Sequence, residues 1–398
     1  MKIIQLDIDG YRSLKNISWK PGDLNVIIGP NGSGKSNLLR FLELIAVSSQ
    51  GRLGKFVQTF GGMDALLWDG KAEKIEWTLR TSPIEQGRSM QRDSMTYRAE
   101  MARLGAGSFY RIQHELLANY YRVESRQSDQ PFKFLERFGP TAKIFDENEH
   151  GLVAPEESVP DEETLLSIAS GPFLANQYIT RFQQNLSSWS IYHDVHVNKD
   201  ALIRQPVVTR SERTVDSDGQ NLIAVLHTLY SEDRDFKKDV NYAMRTAFGE
   251  DFDELVFPPA ADQKVQLRVR WKSLKREQSA ADLSDGTLRF LFLLTVLASP
   301  SPARLIAIDE PEVGLHPSML PIVAEYAVDA AIRTQVILTT HSPQFLDSFR
   351  DASMTTTVTK WKDGETVLRT LSGDELEYWL KEYSLGSLQQ SGELEEMG

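Results

Sequence analysis

The stretch Gly29-Pro30-Asn31-Gly32-Ser33-Gly34-Lys35-Ser36 constrains this chain more than any other. It satisfies the phosphate-loop pattern G-x-x-x-x-G-K-[ST] at every fixed position. Leu24-Asn25-Val26-Ile27-Ile28 before it is a short apolar run suited to a buried strand, and residues 37–45 after it place apolar side chains at helical spacing. Strand, glycine loop and helix together are the context such a loop needs. Glycines let backbone N–H groups turn inward around a polyphosphate, and the helix N-terminus adds positive potential. The candidate nucleotide contacts are therefore Asn31, Gly32, Ser33, Gly34, Lys35, Ser36 and Asn37. Lys35 is expected to reach the β- and γ-phosphates, and the Ser36 hydroxyl to ligate Mg²⁺.

The rest of the composition narrows the class. Apolar residues make up 41% of the 398 and charged residues 25%, the balance of an ordinary globular protein. No run approaches the ~18 uncharged apolar residues of a membrane span, and the N-terminus lacks the apolar core of a signal peptide. With no cysteine there is neither a disulfide framework nor a thiolate metal site. The expectation is a cytoplasmic protein without a membrane partner. A net charge of −12 argues against indiscriminate wrapping of nucleic acid, which needs a basic surface, but leaves room for a local basic groove.

Along the chain, residues 3–8, 14–19 and 24–28 read as strands with turns at Asp9-Gly10 and Pro21-Gly22. Residues 51–70 are glycine-rich and read as a loop. Runs at 74–80, 94–101, 108–113 and 132–145 suggest an antiparallel layer. The segment 146–163 is acidic, with Pro155 and Pro160 and few large apolar groups, and is expected to be a mobile surface insertion. Helices are expected over 164–189, 220–229 and 235–247. Residues 265–272 alternate strictly, so that one strand would present Arg268, Arg270 and Lys272 on a face able to track phosphates or simply to be solvated. The last third alternates helices (288–297, 317–333, 343–349) with buried strands (304–308, 335–339), the grammar of a parallel α/β sheet. A hairpin over 357–370 and an amphipathic stretch at 374–383 close the chain.

Leu305-Ile306-Ala307-Ile308-Asp309-Glu310 supplies the second half of a phosphate-loop site. Four apolar residues make a buried strand that delivers Asp309 to the Mg²⁺ shell, and Glu310 stands where a carboxylate can take a proton from an attacking water. Glu312 and His316 fit turn stabilisation or packing as well as function. Leu283-Ser284-Asp285-Gly286-Thr287 lies directly before the helix at 288–297 and offers a hydroxyl, a glycine and a helix N-terminus, an anion site by construction. His341 follows the strand that ends at Thr340.

Tyr11-Arg12-Ser13-Leu14, the loop at 29–36, Leu283 to Arg289, Asp309-Glu310-Pro311-Glu312 with Leu315-His316-Pro317, and Thr339-Thr340-His341-Ser342-Pro343 resemble the ABC-class ATPases of the RecF/SMC/OLD group. It resembles in particular the stand-alone bacterial ATPases of that group without a Toprim domain. The resemblance implies ATP and Mg²⁺ as cofactors, Glu310, Lys35 and His341 as catalytic groups, and Arg12 and Ser13 at the nucleotide's edge. Ser284 and Gly286 would contact the γ-phosphate held by a second copy, in a homodimer closed by ATP. Gln58 is the candidate Q-loop residue, a third metal contact beside Ser36 and Asp309.

The implied fold is an α/β ABC-type head, an antiparallel β layer plus a helix-flanked parallel sheet. Residues 1–84 and 261–398 are expected to form the head, with 85–260 as an inserted β/helical lobe. Too few residues follow His341 for a Toprim nuclease domain, and the 164–189 helix is far short of a coiled coil. Two outputs fit the implied ATP hydrolysis: work on DNA in repair or defence against phage, or control of a separately encoded effector, a nuclease or toxin.

Overall fold

Alternating apolar residues at the N-terminus build a hairpin, β1 (Ile3–Tyr11) against β2 (Leu14–Trp19), which buries Leu6, Ile8, Ile17 and Trp19 on one face. The run that follows, β3 (Leu24–Ile28), apolar but for Asn25, is buried along its whole length and belongs to a different sheet. After it come helices α1 (Lys35–Ser48), α2 (Leu53–Thr59) and α3 (Met63–Leu66). The computed structural model describes residues 1–83, 95–105, 108–119, 122–123, 126–127, 131–155, 158–169, 176–349, 354–371 and 384–393.

Strands β4 (Lys74–Thr81), β5 (Met95–Arg103), β6 (Tyr110–Asn119), β7 (Phe132–Phe138), β8 (Thr141–Asp146) and β9 (Gly151–Val153) extend the first hairpin into one eight-stranded sheet, in the order β9-β8-β7-β6-β5-β4-β1-β2. Its neighbours pair antiparallel. The expected boundary near residue 84 therefore runs through a single sheet, because β4 and β5 are hydrogen-bonded along eight residue pairs. Residues 132–145, read as one strand, are a hairpin turning at Gly139, whose φ of 52° suits glycine. Residues 51–70, read as a loop, hold α2 and α3, since Leu53, Phe56, Val57, Met63 and Leu66 find buried places despite the glycines.

The acidic segment is a further correction. Its described residues are fastened rather than loose: Glu163 accepts hydrogen bonds from the backbone N–H of Leu53 (3.2 Å) and Gly54 (3.0 Å) at the start of α2. The buried Arg137 donates to the carbonyls of Pro160 and Glu163, and Ile112 N–H donates to Asp161 O. Next to it, the buried Glu115 accepts from Leu165 N–H, Leu166 N–H and the Tyr97 hydroxyl, seating α4 (Leu165–Ile168) on the sheet. Burial pushes the Glu115 carboxyl up, more than those hydrogen bonds hold it down. The expected helix over 164–189 is thus two pieces, α4 and α5 (Gln177–Ser187).

Strand β10 (Ser190–Tyr192) opens the second sheet, followed by α6 (Leu222–Glu232), α7 (Arg234–Phe248) and α8 (Asp285–Leu297). Then come β11 (Leu305–Ile308), α9 (Leu320–Arg333), β12 (Gln335–Thr340), α10 (Pro343–Asp347), β13 (Thr355–Lys362) and β14 (Glu365–Thr370). The sheet order is β10-β11-β12-β3-β13-β14, parallel except for the final hairpin. Both faces are covered, as the fully buried strands β3, β11 and β12 require. Leu305, Ala307 and Ile337 face α1 and the antiparallel sheet; Ile306, Ile308, Val336 and Leu338 join the core under α6 to α9. Phe41 on α1 sits edge-on to Tyr11 (4.9 Å) and Trp77 (5.9 Å), contacts each worth about 0.5–1.5 kcal/mol beyond area burial. No described helix is long and apolar enough to cross a membrane.

The alternating run 265–272 is not one strand. Lys264–Val265 belongs to one small sheet and Arg268–Trp271 to another. Its cations are already partnered: Arg270 is bonded to Glu254 and Glu277, Lys272 lies 3.7 Å from Glu250, and Arg268 donates to Gln266. The amphipathic stretch expected at 374–383 lies outside the described residues.

Candidate nucleotide site

Parallel register brings four strand ends to one edge. Tyr192 pairs with Ile308, Ile308 with Leu338, and Thr340 with Ile28. The residues after those strands, His193, Asp309, His341 and Gly29, therefore line up along the carboxyl end of the sheet, the place where open α/β sheets bind ligands.

The phosphate loop is held by the closing hairpin. A Cβ on Gly34 would lie 2.0 Å from Thr366 Oγ1 and 2.9 Å from Ser13 Oγ, and the residue has φ 102°, so only glycine fits. The Ser33 hydroxyl meets that of Thr359 at 2.6 Å, and Thr366 Oγ1 donates to Ser33 O and Ser13 Oγ. Asn37 donates to Ser13 Oγ at 2.8 Å, which links the β1–β2 turn to α1. Lys35, buried at the first position of α1, donates from Nζ to the loop carbonyls of Gly29 (2.7 Å) and Pro30 (3.1 Å). Asn31 and Gly32 are exposed at the loop's tip. Arg12, at φ 45°, is fixed by its N–H to Leu66 O, and its guanidinium stacks 4.8 Å over Phe60, which Arg40 also faces at 5.1 Å.

Asp309 accepts a hydrogen bond from Thr339 Oγ1, and His193 Nδ1 stands 3.7 Å from its second oxygen. Burial pushes its carboxyl up, but the neighbouring His193, Thr339 and Ser36 outweigh that and hold it below the usual carboxylate range. A carboxylate kept ionised beside a serine hydroxyl is an oxygen donor set suited to Mg²⁺. Glu310 follows at φ 47°, its N–H bonded to Thr339 Oγ1 and its Oε1 2.9 Å from His341 Nδ1. Glu312 is buried behind this pair and accepts from Thr340 Oγ1 and His341 N–H. Burial drives its carboxyl up despite those donors.

Ser284 caps α8 through Thr287 N–H (3.1 Å), and Gly286 packs so closely on the Asp309–His316 turn that a Cβ would sit 2.6 Å from Gly314 O. His316 caps the short turn before α9 by accepting from Ser318 N–H.

Of the sequence-derived candidates, the structure brings together Lys35, Ser36, Asp309, Glu310 and His341, with Ser13, Ser33, Gly34 and Asn37 building the loop. Gln58 is not among them; it lies exposed on α2. The place beside Asp309 is taken by His193, which also meets Glu43 of α1 at 3.2 Å. Sequence reasoning passed over His193, yet Ser190-Ile191-Tyr192-His193 repeats the strand-then-polar grammar of Ile308-Asp309 and Thr340-His341. It also passed over Thr359 and Thr366, whose role depends on contacts more than 320 residues away in sequence.

Residues 24–347 match the family model described as "AAA domain, putative AbiEii toxin, Type IV TA system". No curated protein matches the chain. Among solved structures, an Smc head bound to the C-winged helix domain of ScpA superposes with a TM-score of 0.60 at 15% identity, covering 95% of this chain and 100% of that one. An Smc head with an extended coiled coil, bound to the C-terminal domain of ScpA derived from Pyrococcus furiosus, gives 0.56 at 13% identity, covering 96% and 99%. The fold is that of the SMC-type ABC head.

Proposed function

This chain belongs to the AAA-domain family of that model and carries an SMC-like ABC head, and from that premise we propose that it is an ATP hydrolase whose working unit is two copies closed around ATP. The observation that carries this reading is the 2.9 Å contact between Glu310 and His341, next to an Asp309 that accepts from Thr339 Oγ1.

In this reading Lys35 and the backbone N–H groups of 31–36 bind the phosphates, while Ser36 and Asp309 hold Mg²⁺. Mg²⁺, when bound there, would supply charge neutralisation for the phosphates. Glu310 accepts a proton from the attacking water, and His341 orients that carboxylate through Nδ1. Ser284 and Gly286 complete the loop of the other copy, as the resemblance to ABC-class ATPases implies.

Sedimentation of Glu310→Gln with and without ATP tests the proposal. The variant is expected to bind ATP, accumulate as a dimer and lose turnover; normal hydrolysis by it would remove Glu310 from its role.

For the output, control of a separately encoded effector, a toxin or nuclease, is the better supported of the two readings. Arg270 and Lys272 are engaged by Glu254, Glu277 and Glu250, which leaves little cationic strip for phosphates, and the net charge is −12. A salt-dependent DNA titration with and without ATP separates this from work on DNA: strong, salt-sensitive, ATP-dependent binding would favour the latter.

A further inference from the structure

Arg204 is a buried cation that touches neither the phosphate loop nor the acids at 309–312 in any described contact. Its side chain is 5% exposed. Nε donates to the carbonyls of Val197 (2.7 Å) and Asn198 (3.1 Å). NH1 donates to the carbonyls of Leu283 (2.7 Å), Ala280 (3.2 Å) and Ala281 (3.3 Å), and NH2 to the Asp285 carboxylate. One guanidinium thus fastens the segment entering the Ser284-Gly286 element to the segment that begins at His193. The second segment has another tie to α8 through Asp194 and Arg289, 3.4 Å apart.

The geometry is specific to a planar fork. Five N–H donors in fixed directions serve carbonyls on two separate stretches of chain, whereas a lysine offers three donors from one point. The carbonyls of Ala280, Ala281 and Leu283 are turned toward the guanidinium, which fixes the backbone just before Ser284. Asp285, whose side chain is 65% exposed, is drawn to the same group. Leu283, buried, anchors the stretch from its other side.

We propose that Arg204 is a positioning residue for the 283–287 element, so that it governs the nucleotide held by a second copy and not the one held by its own chain. This rests on the two-copy reading above. Loss of the fork would leave the 29–36 loop, Asp309 and Glu310 as they are, while the element presented to the partner loses its fixed shape.

The experiment uses Arg204→Lys, alone and in the Glu310→Gln background, with mant-ATP as the binding probe. Affinity for mant-ATP is expected to stay within about twofold of the parent, while ATP-dependent dimerisation, read by sedimentation, weakens by about tenfold or more. Mixed with Lys35→Ala, which has a defective loop but a sound 283–287 element, the Arg204→Lys chain should regain turnover that neither chain shows alone. Three results would each overturn the proposal: dimerisation equal to the parent's, mant-ATP affinity lost together with dimerisation, or a mixture that stays inactive. If Arg204→Lys melts far below the parent, Asp285→Asn reads the same joint from its exposed end and should also weaken the dimer without changing mant-ATP affinity; parental dimerisation there overturns the proposal as well. If Glu310→Gln itself forms no dimer with ATP, the two-copy reading falls first and this assignment with it.

Discussion

The Thr359 hydroxyl lies 2.6 Å from that of Ser33, joining the closing hairpin to the phosphate loop across 326 positions of sequence. Thr366, on the facing strand, bonds Ser33 O and Ser13 Oγ. The loop's shape is therefore set by the far end of the chain. Thr359→Val and Thr366→Val each leave a buried polar group without its partner at the loop, a cost of about 1–3 kcal/mol. We expect mant-ATP affinity to fall by roughly tenfold or more for each, with the thermal midpoint moving by only a few degrees. An unchanged affinity in both variants would show that the loop holds its shape alone.

Gly34→Ala is expected to abolish nucleotide binding. Its Cβ would fall 2.0 Å from Thr366 Oγ1 at a φ of 102°, a conformation that alanine adopts only at a cost of about 1–3 kcal/mol before any clash is counted. Pairing it with Thr366→Ala relieves the contact but not the backbone strain, so the double variant should recover only part of the affinity in the same titration.

Glu310→Gln should reduce kcat by about 10²–10⁴-fold, the usual contribution of a positioned general base, with mant-ATP affinity preserved. His341→Ala removes the group 2.9 Å from Glu310 Oε1 and should lower kcat by a smaller factor with KM nearly unchanged. Steady-state phosphate release measures both; a rise in KM alone would move His341 from orienting Glu310 to holding ATP.

Glu115 gives a pH dependence whose sign is fixed by its burial. Its native carboxyl is raised above the ordinary 4.5, so the native state binds that proton more readily than the unfolded chain. The associated stability is fully present below 4.5 and is lost as pH climbs through the raised native value. Glu115→Gln does not titrate. The gap in thermal midpoint, parent minus variant, should therefore shrink as pH rises above 4.5, and a gap constant at every pH would contradict the assignment.

Arg268→Ala, Arg270→Ala and Lys272→Ala combined should leave DNA affinity and its salt slope unchanged, because Arg270 and Lys272 already face acids. A slope reduced by about one unit per lost phosphate contact would restore this strip as a nucleic-acid surface.

Much of the head was legible in sequence because its signals are local. A strand, a glycine loop and a helix are written within residues 24–45, and Ile308-Asp309-Glu310 and Thr340-His341 end buried strands in the same way. What escaped depends on distant partners. The acidic composition of 146–163 says nothing of the N–H groups of Leu53 and Gly54 that Glu163 holds, or of the buried Arg137 behind it. Strict alternation over 265–272 suggested a single strand, but the chain changes sheets between Val265 and Arg268. Gln58 drew notice through a glycine-rich setting that folds into α2, while His193 occupies the strand end next to Asp309.

The position of β3 between β12 and β13 has a consequence for how the protein is made. The strand leading into the phosphate loop leaves the ribosome well before both of its neighbours and the hairpin that shapes its loop, β12 to β14. At ~5–20 residues per second the interval is on the order of 15–70 s. Through that time β3 has neither flanking strand, and the phosphate loop lacks the hairpin that shapes it. Translation must run through residue 370 before that loop can take its final form.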